Sequence, residues 1–319
     1  MTNQLKNIAP KFTGLVKREF LDGKNGYLYA PLALAGLMLL LILLALVDVG
    51  NTIRIDGMEM SGVSSLSEAL EKGVAQGEQE QIAGGIALLY WGLSLIIWLA
   101  FPFVLVNSLL SSLYEERRDK SILFWKSMPI ADWQEVAAKF FTSVFVAFGS
   151  YLAITITLQV TVAVILSIVV IFQGGPVLEL WPIGNMIYTW VSIVPHYVLV
   201  ILWALPVIAW ITLVSAYAPR MPFMYAFLPP VALIVVEQIL TETQYVADWI
   251  GYHMGGWEQI MENQFPRHIN GPAEAFAAIK GLSFSDLYIH TLSLPTFWGG
   301  VILAAVFLYG AVELRKRAM

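Results

Sequence analysis

The chain has 319 residues, of which 58% are hydrophobic and 13% charged, with a net charge of −5 and a mean hydropathy of +0.71. Ordinary soluble domains carry roughly 25% charged residues, so these figures exclude a soluble globular protein, and no basic block suits nucleic acid. Cysteine is absent, which rules out disulfides, thiolate metal sites and cysteine nucleophiles.

In chain order, the first predicted element is an amphipathic helix within residues 1–26. Ile8, Phe12, Leu15, Val16 and Phe20 share one helical face, and Lys11, Lys17, Arg18 and Asp22 fall largely off it. Such a helix lies along a membrane surface, its cations drawn to anionic headgroups, or presents its polar face to a partner. A bilayer core takes about 20 mostly apolar residues per helix, and the charge-free runs predict six spans at 27–48, 85–110, 140–172, 190–217, 224–240 and 296–312. Together they predict an all-α polytopic membrane protein built as one domain over residues 1–319.

The connections alternate in character. Fourteen Lys and Arg fall on the side of both termini, and only Arg54, Lys72, Arg267 and Lys280 on the other. This split predicts cytoplasmic N- and C-termini, with residues 49–84 and 241–295 outside. In the longer of these two loops Tyr245, Trp249, Tyr252 and Trp257 recur at helical spacing, which predicts a helix at the outer membrane surface, serving as an aromatic anchor or a substrate platform.

Few residues inside the spans are chemically distinctive. Glu237 is the one acid placed in a span, near its outer end, where interfacial solvation and a gating or substrate role are both open. His196 follows Pro195 and either packs or lines a cavity; with His253, His268 and His290 it forms no metal-ligand spacing, so no metal is expected. The nucleotide-binding G-x-x-x-x-G-K-[ST] pattern, H-E-x-x-H and G-x-S-x-G are all missing, so no catalytic residue and no bound cofactor are expected. Trp98, Phe101, Phe103, Trp203 and Trp210 suit either an apolar pathway or lipid-facing packing.

The most distinctive stretch is the 111–139 loop, with the run YEERRDKSILFWKSMPIAD. Glu115, Glu116, Arg117, Arg118, Asp119 and Lys120 mix both signs, which favours specific ion pairing. Ser121 can cap a short helix that carries Ile122, Phe124, Trp125 and Met128 and ends at Pro129. A second helix is expected from Asp132 as N-cap, with Glu135 completing a capping box. Phe124 and Trp125 within a charged rim suit either the lipid interface or a protein-binding hot spot.

This run resembles the loop between the second and third spans of bacterial ABC-2 type transporter permeases. Leu15-Val16-Lys17-Arg18-Glu19-Phe20 is similar to the family's segment before the first span, as is Ala218-Pro219-Arg220-Met221-Pro222-Phe223 to its turn into the fifth. The resemblance implies a permease subunit in the bacterial inner membrane, paired with a second permease copy or relative and driven by two copies of a separate ATPase subunit that binds ATP and Mg. Ser121 to Pro129 is then the coupling helix, with Phe124 and Trp125 as knobs and Arg117, Arg118, Asp119 and Lys126 as polar rim. If Trp98, Phe101, Phe103, Trp203 and Trp210 line an apolar pathway, the exported cargo is hydrophobic or amphipathic: a lipid, peptide or drug. The rival classes are a secondary transporter or channel, which needs more buried ionisable groups than Glu237 and His196, and a membrane-embedded enzyme or regulatory subunit using Asp248, Glu258 and Glu262.

Overall fold

The computed structural model describes residues 2–48, 65–262, 266, 268–281 and 284–318. Arg54, Asp56, Glu59 and Arg267 lie outside the described residues, as do the side chains of Ile8, Trp257, Glu258 and Glu262. The described residues form helices and no strand. Six helices are long and apolar enough to cross a bilayer, and the chain is a multi-pass membrane protein.

Helix α1 (Thr2–Asp22) leads through a π-helical turn at Asn25–Tyr29 into α2 (Ala30–Asp48), the first span. After α3 (Leu66–Ala75), capped by the Ser65 hydroxyl accepting from Glu68 N–H, comes α4 (Gln79–Arg118), a 40-residue helix. The expected span of 85–110 is thus the middle of a longer rod, because helical hydrogen bonding continues past the last apolar residue into Glu115–Arg118. The third span begins early for the same reason: α6 (Asp132–Phe141), a second π-helical turn at Thr142–Val146, and α7 (Ala147–Gln173) run without a break. Gly174, in the left-handed conformation at φ 78°, ends α7.

Helix α8 (Ile183–Tyr217) starts seven residues before the expected fourth span, α9 (Pro222–Thr241) is the fifth, and α13 (Pro295–Arg317) the last. Proline opens α9 and α13, where the missing N–H costs no intrahelical bond. Burial ranks the spans: 56% of the apolar window of α8 and 50% of that of α7 is buried, against 11% in α2 and 6% in α9. The core is therefore α4, α7, α8 and α13, with α2 and α9 at the lipid-facing rim. Since apolar surface gains little by leaving lipid, polar staples hold the spans. Gln159 of α7 donates to the Tyr90 carbonyl (3.1 Å) and Ser94 hydroxyl (2.9 Å) of α4 and accepts from the Trp190 indole of α8 (2.6 Å).

The helix expected from Tyr245, Trp249, Tyr252 and Trp257 is present, with two more after it in the 241–295 segment. The three are α10 (Tyr245–Glu262), α11 (Pro272–Lys280) and α12 (Phe284–Ser293), folded back onto α8, α9, α4 and α13. Tyr245 is exposed, whereas Trp249 and Tyr252 flank the buried His253. Gly84 of α4 permits a close crossing, since a Cβ there would lie 2.7 Å from the Ala273 backbone of α11. We call this end distal and the opposite end, where Arg18 of α1 and Arg315 of α13 meet Glu116 of α4, basal.

Candidate functional site

The charged 111–139 loop folds at the basal end. Helix α4 ends at Asp119, Lys120 turns the chain in the left-handed region (φ 60°), and α5 (Ile122–Lys126) follows at once. Pro129 is exposed, and its carbonyl accepts from Lys11 (3.3 Å). Two expected caps differ from those observed. Ser121 does not cap α5; its hydroxyl turns back to the Glu116 carbonyl (3.4 Å) because the chain enters α5 already in helical conformation. The N-cap of α6 is Ala131, whose N–H donates to the Gln134 side chain (3.2 Å), so Asp132 is the first helical residue and Glu135 is turned inward.

That inward turn builds the central feature of the molecule. Asp132, Glu135 and Lys139 recur at i, i+3 and i+7, one face of α6, and meet Arg18 and Glu19 of α1, Glu116 of α4 and Arg315 of α13. Glu116 is the hub, 2.5 Å from Arg315, 3.0 Å from Lys139 and 3.6 Å from Arg18. Arg18 forks onto Glu135 (2.7 and 3.2 Å) and also pairs with Glu19, while Lys139 reaches Glu19 at 2.9 Å. Arg315 also lies 3.4 Å from Asp132 and 3.9 Å from Glu135. Burial opposes the charge of Arg18, but hydrogen bonds and charges of Glu135 and Glu19 outweigh it and hold its pKa above the usual value. Glu19, Glu116 and Glu135 bring carboxylate oxygens within 4.8 Å of one another, a spacing open to a metal ion. Arg18, Lys139 and Arg315 already supply the neutralising charge there.

The expected knobs and rim are sorted by this cluster. Ile122 is buried, and Trp125 is half-covered, its ring 3.9 Å beneath the Arg18 guanidinium. Phe124 is 60% exposed and Leu123 57%, so the projecting tip is Leu123-Phe124 rather than Phe124-Trp125. Arg117 points inward and caps the end of α8, donating to the Ser215 (2.8 Å) and Ala218 (3.0 Å) carbonyls. Lys126 donates to the Lys316 carbonyl (3.0 Å) and to that of Ala318, tying α5 to α13. Arg118 and Asp119 pair with each other in solvent, and Glu115 is exposed. The mixed signs of the run pointed to ion pairing; that the partners of Glu116 would include Arg18 and Arg315, far away in sequence, had no local signal.

The remaining candidates lie apart from this cluster. Both Glu237 carboxylate oxygens are used at the α9–α10 corner, accepting from Tyr245 N–H (2.7 Å), Val246 N–H (2.8 Å) and the Thr243 hydroxyl (2.8 Å), so the acid caps the N-terminus of α10. His196 bonds the Ser192 carbonyl of its own helix (2.9 Å). Asp248 is exposed in the first turn of α10. The five aromatics do not line one path. Trp98 and Phe101 join Phe148, Tyr151 and Tyr197 in a cluster, Trp203 is sealed beside Tyr252, Trp210 meets Phe307, and Phe103 is 78% exposed.

No protein-family model matches the chain, and no curated protein or solved structure matches it either.

Proposed function

We propose that the chain is the permease subunit of an ABC-2 type, ATP-driven transporter in a bacterial inner membrane, with both termini cytoplasmic. A separate ATPase subunit, carrying ATP and Mg, docks on α5. Two ATPase copies and a second permease complete the assembly, and the cargo is hydrophobic or amphipathic. The observation that carries this reading is the pairing of an exposed Leu123-Phe124 tip with a braced base. Trp125 sits under Arg18 and Lys126 on the end of α13, so a load on the tip reaches α1, α6 and α13 instead of dissipating in a flexible loop.

Affinity capture of the tagged chain from native membranes tests this reading by whether an ATPase subunit comes with it. Phe124→Ala is expected to weaken that association by about 2 kcal/mol, a loss of roughly 30-fold in affinity, as at a protein-binding hot spot. Capture without any ATPase, or association and ATP-dependent transport unchanged by Phe124→Ala, rejects the reading.

A further inference from the structure

We infer that α1 and α6 form a single paddle, hinged to the membrane bundle at the two π-helical turns, and that the ion cluster is the latch holding the paddle against a fixed pillar of α4 and α13. This deepens the coupling role proposed for α5, which joins pillar to paddle.

The paddle is rigid because its two helices are fastened along their length. Arg18–Glu135 and Lys139–Glu19 join them at one level, Phe12 meets Phe141 edge-on with ring centroids 6.0 Å apart, and Lys11 ties α1 to the turn before α6 through the Pro129 carbonyl. Leu15 is buried between the fastenings. Each paddle helix then enters the bundle through a π-helical turn, α1 through Asn25–Tyr29 and α6 through Thr142–Val146. Such turns are rare, and a widened turn weakens the regular helical ladder at one place. Two of them at one depth define an axis.

Their shared depth is fixed by side chains. Tyr27 of the first turn, Ser143 of the second and Ser108 of the pillar form a hydroxyl triad, with Tyr27–Ser143 at 3.0 Å and Ser108–Ser143 at 2.7 Å. Carbonyls in the turns are taken up from the bundle side: Ser150 donates to Tyr27 (2.7 Å), Tyr151 to Gly26 (3.2 Å) and Tyr197 to Val144. The turns therefore stay seated while the helices beyond them remain free to tilt.

On the basal side of the triad lies a cavity of about 310 Å³ between paddle and pillar. Glu19 and Lys139 line it from the paddle, Ser112 and Glu116 from the pillar, and Trp125 from α5. A hinge needs room on one side, and this cavity provides it. Its far wall is the latch, where Lys139 and Arg18 of the paddle hold Glu116 of the pillar, and Arg315 of the pillar holds Asp132 and Glu135 of the paddle. These paddle–pillar pairs can part while the Arg18–Glu135 and Lys139–Glu19 pairs stay intact.

Spin-label distances on the whole chain test this, since it has no cysteine of its own. Lys17→Cys with Trp133→Cys reports within the paddle, and Lys17→Cys with Lys316→Cys reports between paddle and pillar. Glu116→Gln, which unlatches the hub, is expected to shift or broaden the paddle–pillar distribution and leave the within-paddle one unchanged. If both change together, or neither changes, the hinge is rejected. Should Glu116→Gln fail to fold, hydrogen exchange on the unaltered protein decides. Amides 25–29 and 142–146 are expected to exchange about tenfold faster than 104–112 of α4 at the same depth; equal protection rejects the hinge. Neither readout involves an ATPase, so loss of the docking reading leaves this result standing.

Discussion

The two ends of the molecule are held by different forces. At the basal end, seven charged side chains from α1, α4, α6 and α13 interlock, and backbone carbonyls at the end of α13 are clamped by Lys126. At the distal end, apart from the Glu237 cap of α10, the helices α10, α11 and α12 adhere through close backbone approach, aromatic contact and neutral hydrogen bonds, such as Trp203 to Thr291 (3.1 Å), Tyr288 to the Pro195 carbonyl (2.7 Å) and Tyr188 to the Lys280 carbonyl (3.1 Å). Buried ion pairs are directional and fail in discrete steps, while packed interfaces resist small displacements from all sides. An element that must switch between arrangements suits the first kind of end, and one that must keep a single arrangement suits the second.

The sharpest way to break this comparison is to remove one charge. Glu116→Ala leaves Arg315 and Lys139 buried without their hub, and the expected loss is about 3–5 kcal/mol of stability, read as a lowered midpoint of thermal unfolding in detergent. Replacing both partners in Glu116→Leu with Arg315→Met is expected to recover part of that loss, because Arg315 no longer stands unpaired and Lys139 keeps Glu19. Equal destabilisation by the single and double variants contradicts an electrostatic latch.

At the distal end the corresponding variant is steric. A Cβ at Gly300 of α13 would collide with the buried His253 ring of α10, whereas nothing lies within 4 Å of one at Gly299. Gly300→Ala is expected to cost about 1–3 kcal/mol, with faster proteolysis in the 245–293 segment, and Gly299→Ala to be near neutral. The smallest effect is in pH. Burial pushes the His253 pKa down, against the pull of the Trp249 and Thr296 carbonyls. The folded state therefore binds fewer protons at this site than the unfolded chain, and this contribution to stability is present above about pH 6.5 and declines as pH falls toward the lowered value. Thermal unfolding between pH 7 and 5.5 should show this decline in the native chain and a shallower one in His253→Gln.

The spans were legible because a charge-free apolar run has one cheap conformation in lipid, and all six lie where the hydropathy placed them. Their ends were not, since Glu115–Arg118 and Asp132–Lys139 are polar yet helical, each stabilised by charges on other elements. The loop at 111–139 announced ion pairing through its mixed signs. It could not announce that Arg117 and Lys126 turn inward or that Trp125 is shielded by Arg18, because those partners are 98, 190 and 107 positions away. Glu237 stood out as a lone acid in a span; its use as a cap depends on the sharp corner at Glu242, in the left-handed region at φ 53°, which places the start of α10 over the carboxylate.

One consequence concerns α4. At 40 residues it is about 60 Å long at the usual rise per residue, with Gly84 pressed against α11 near one end and Glu116 gripped by Arg315 and Lys139 near the other. As the fixed member of the latch, this one shaft sets the separation between α11 and the charged base, so the distal and basal ends keep a common frame without any relay of side chains between them.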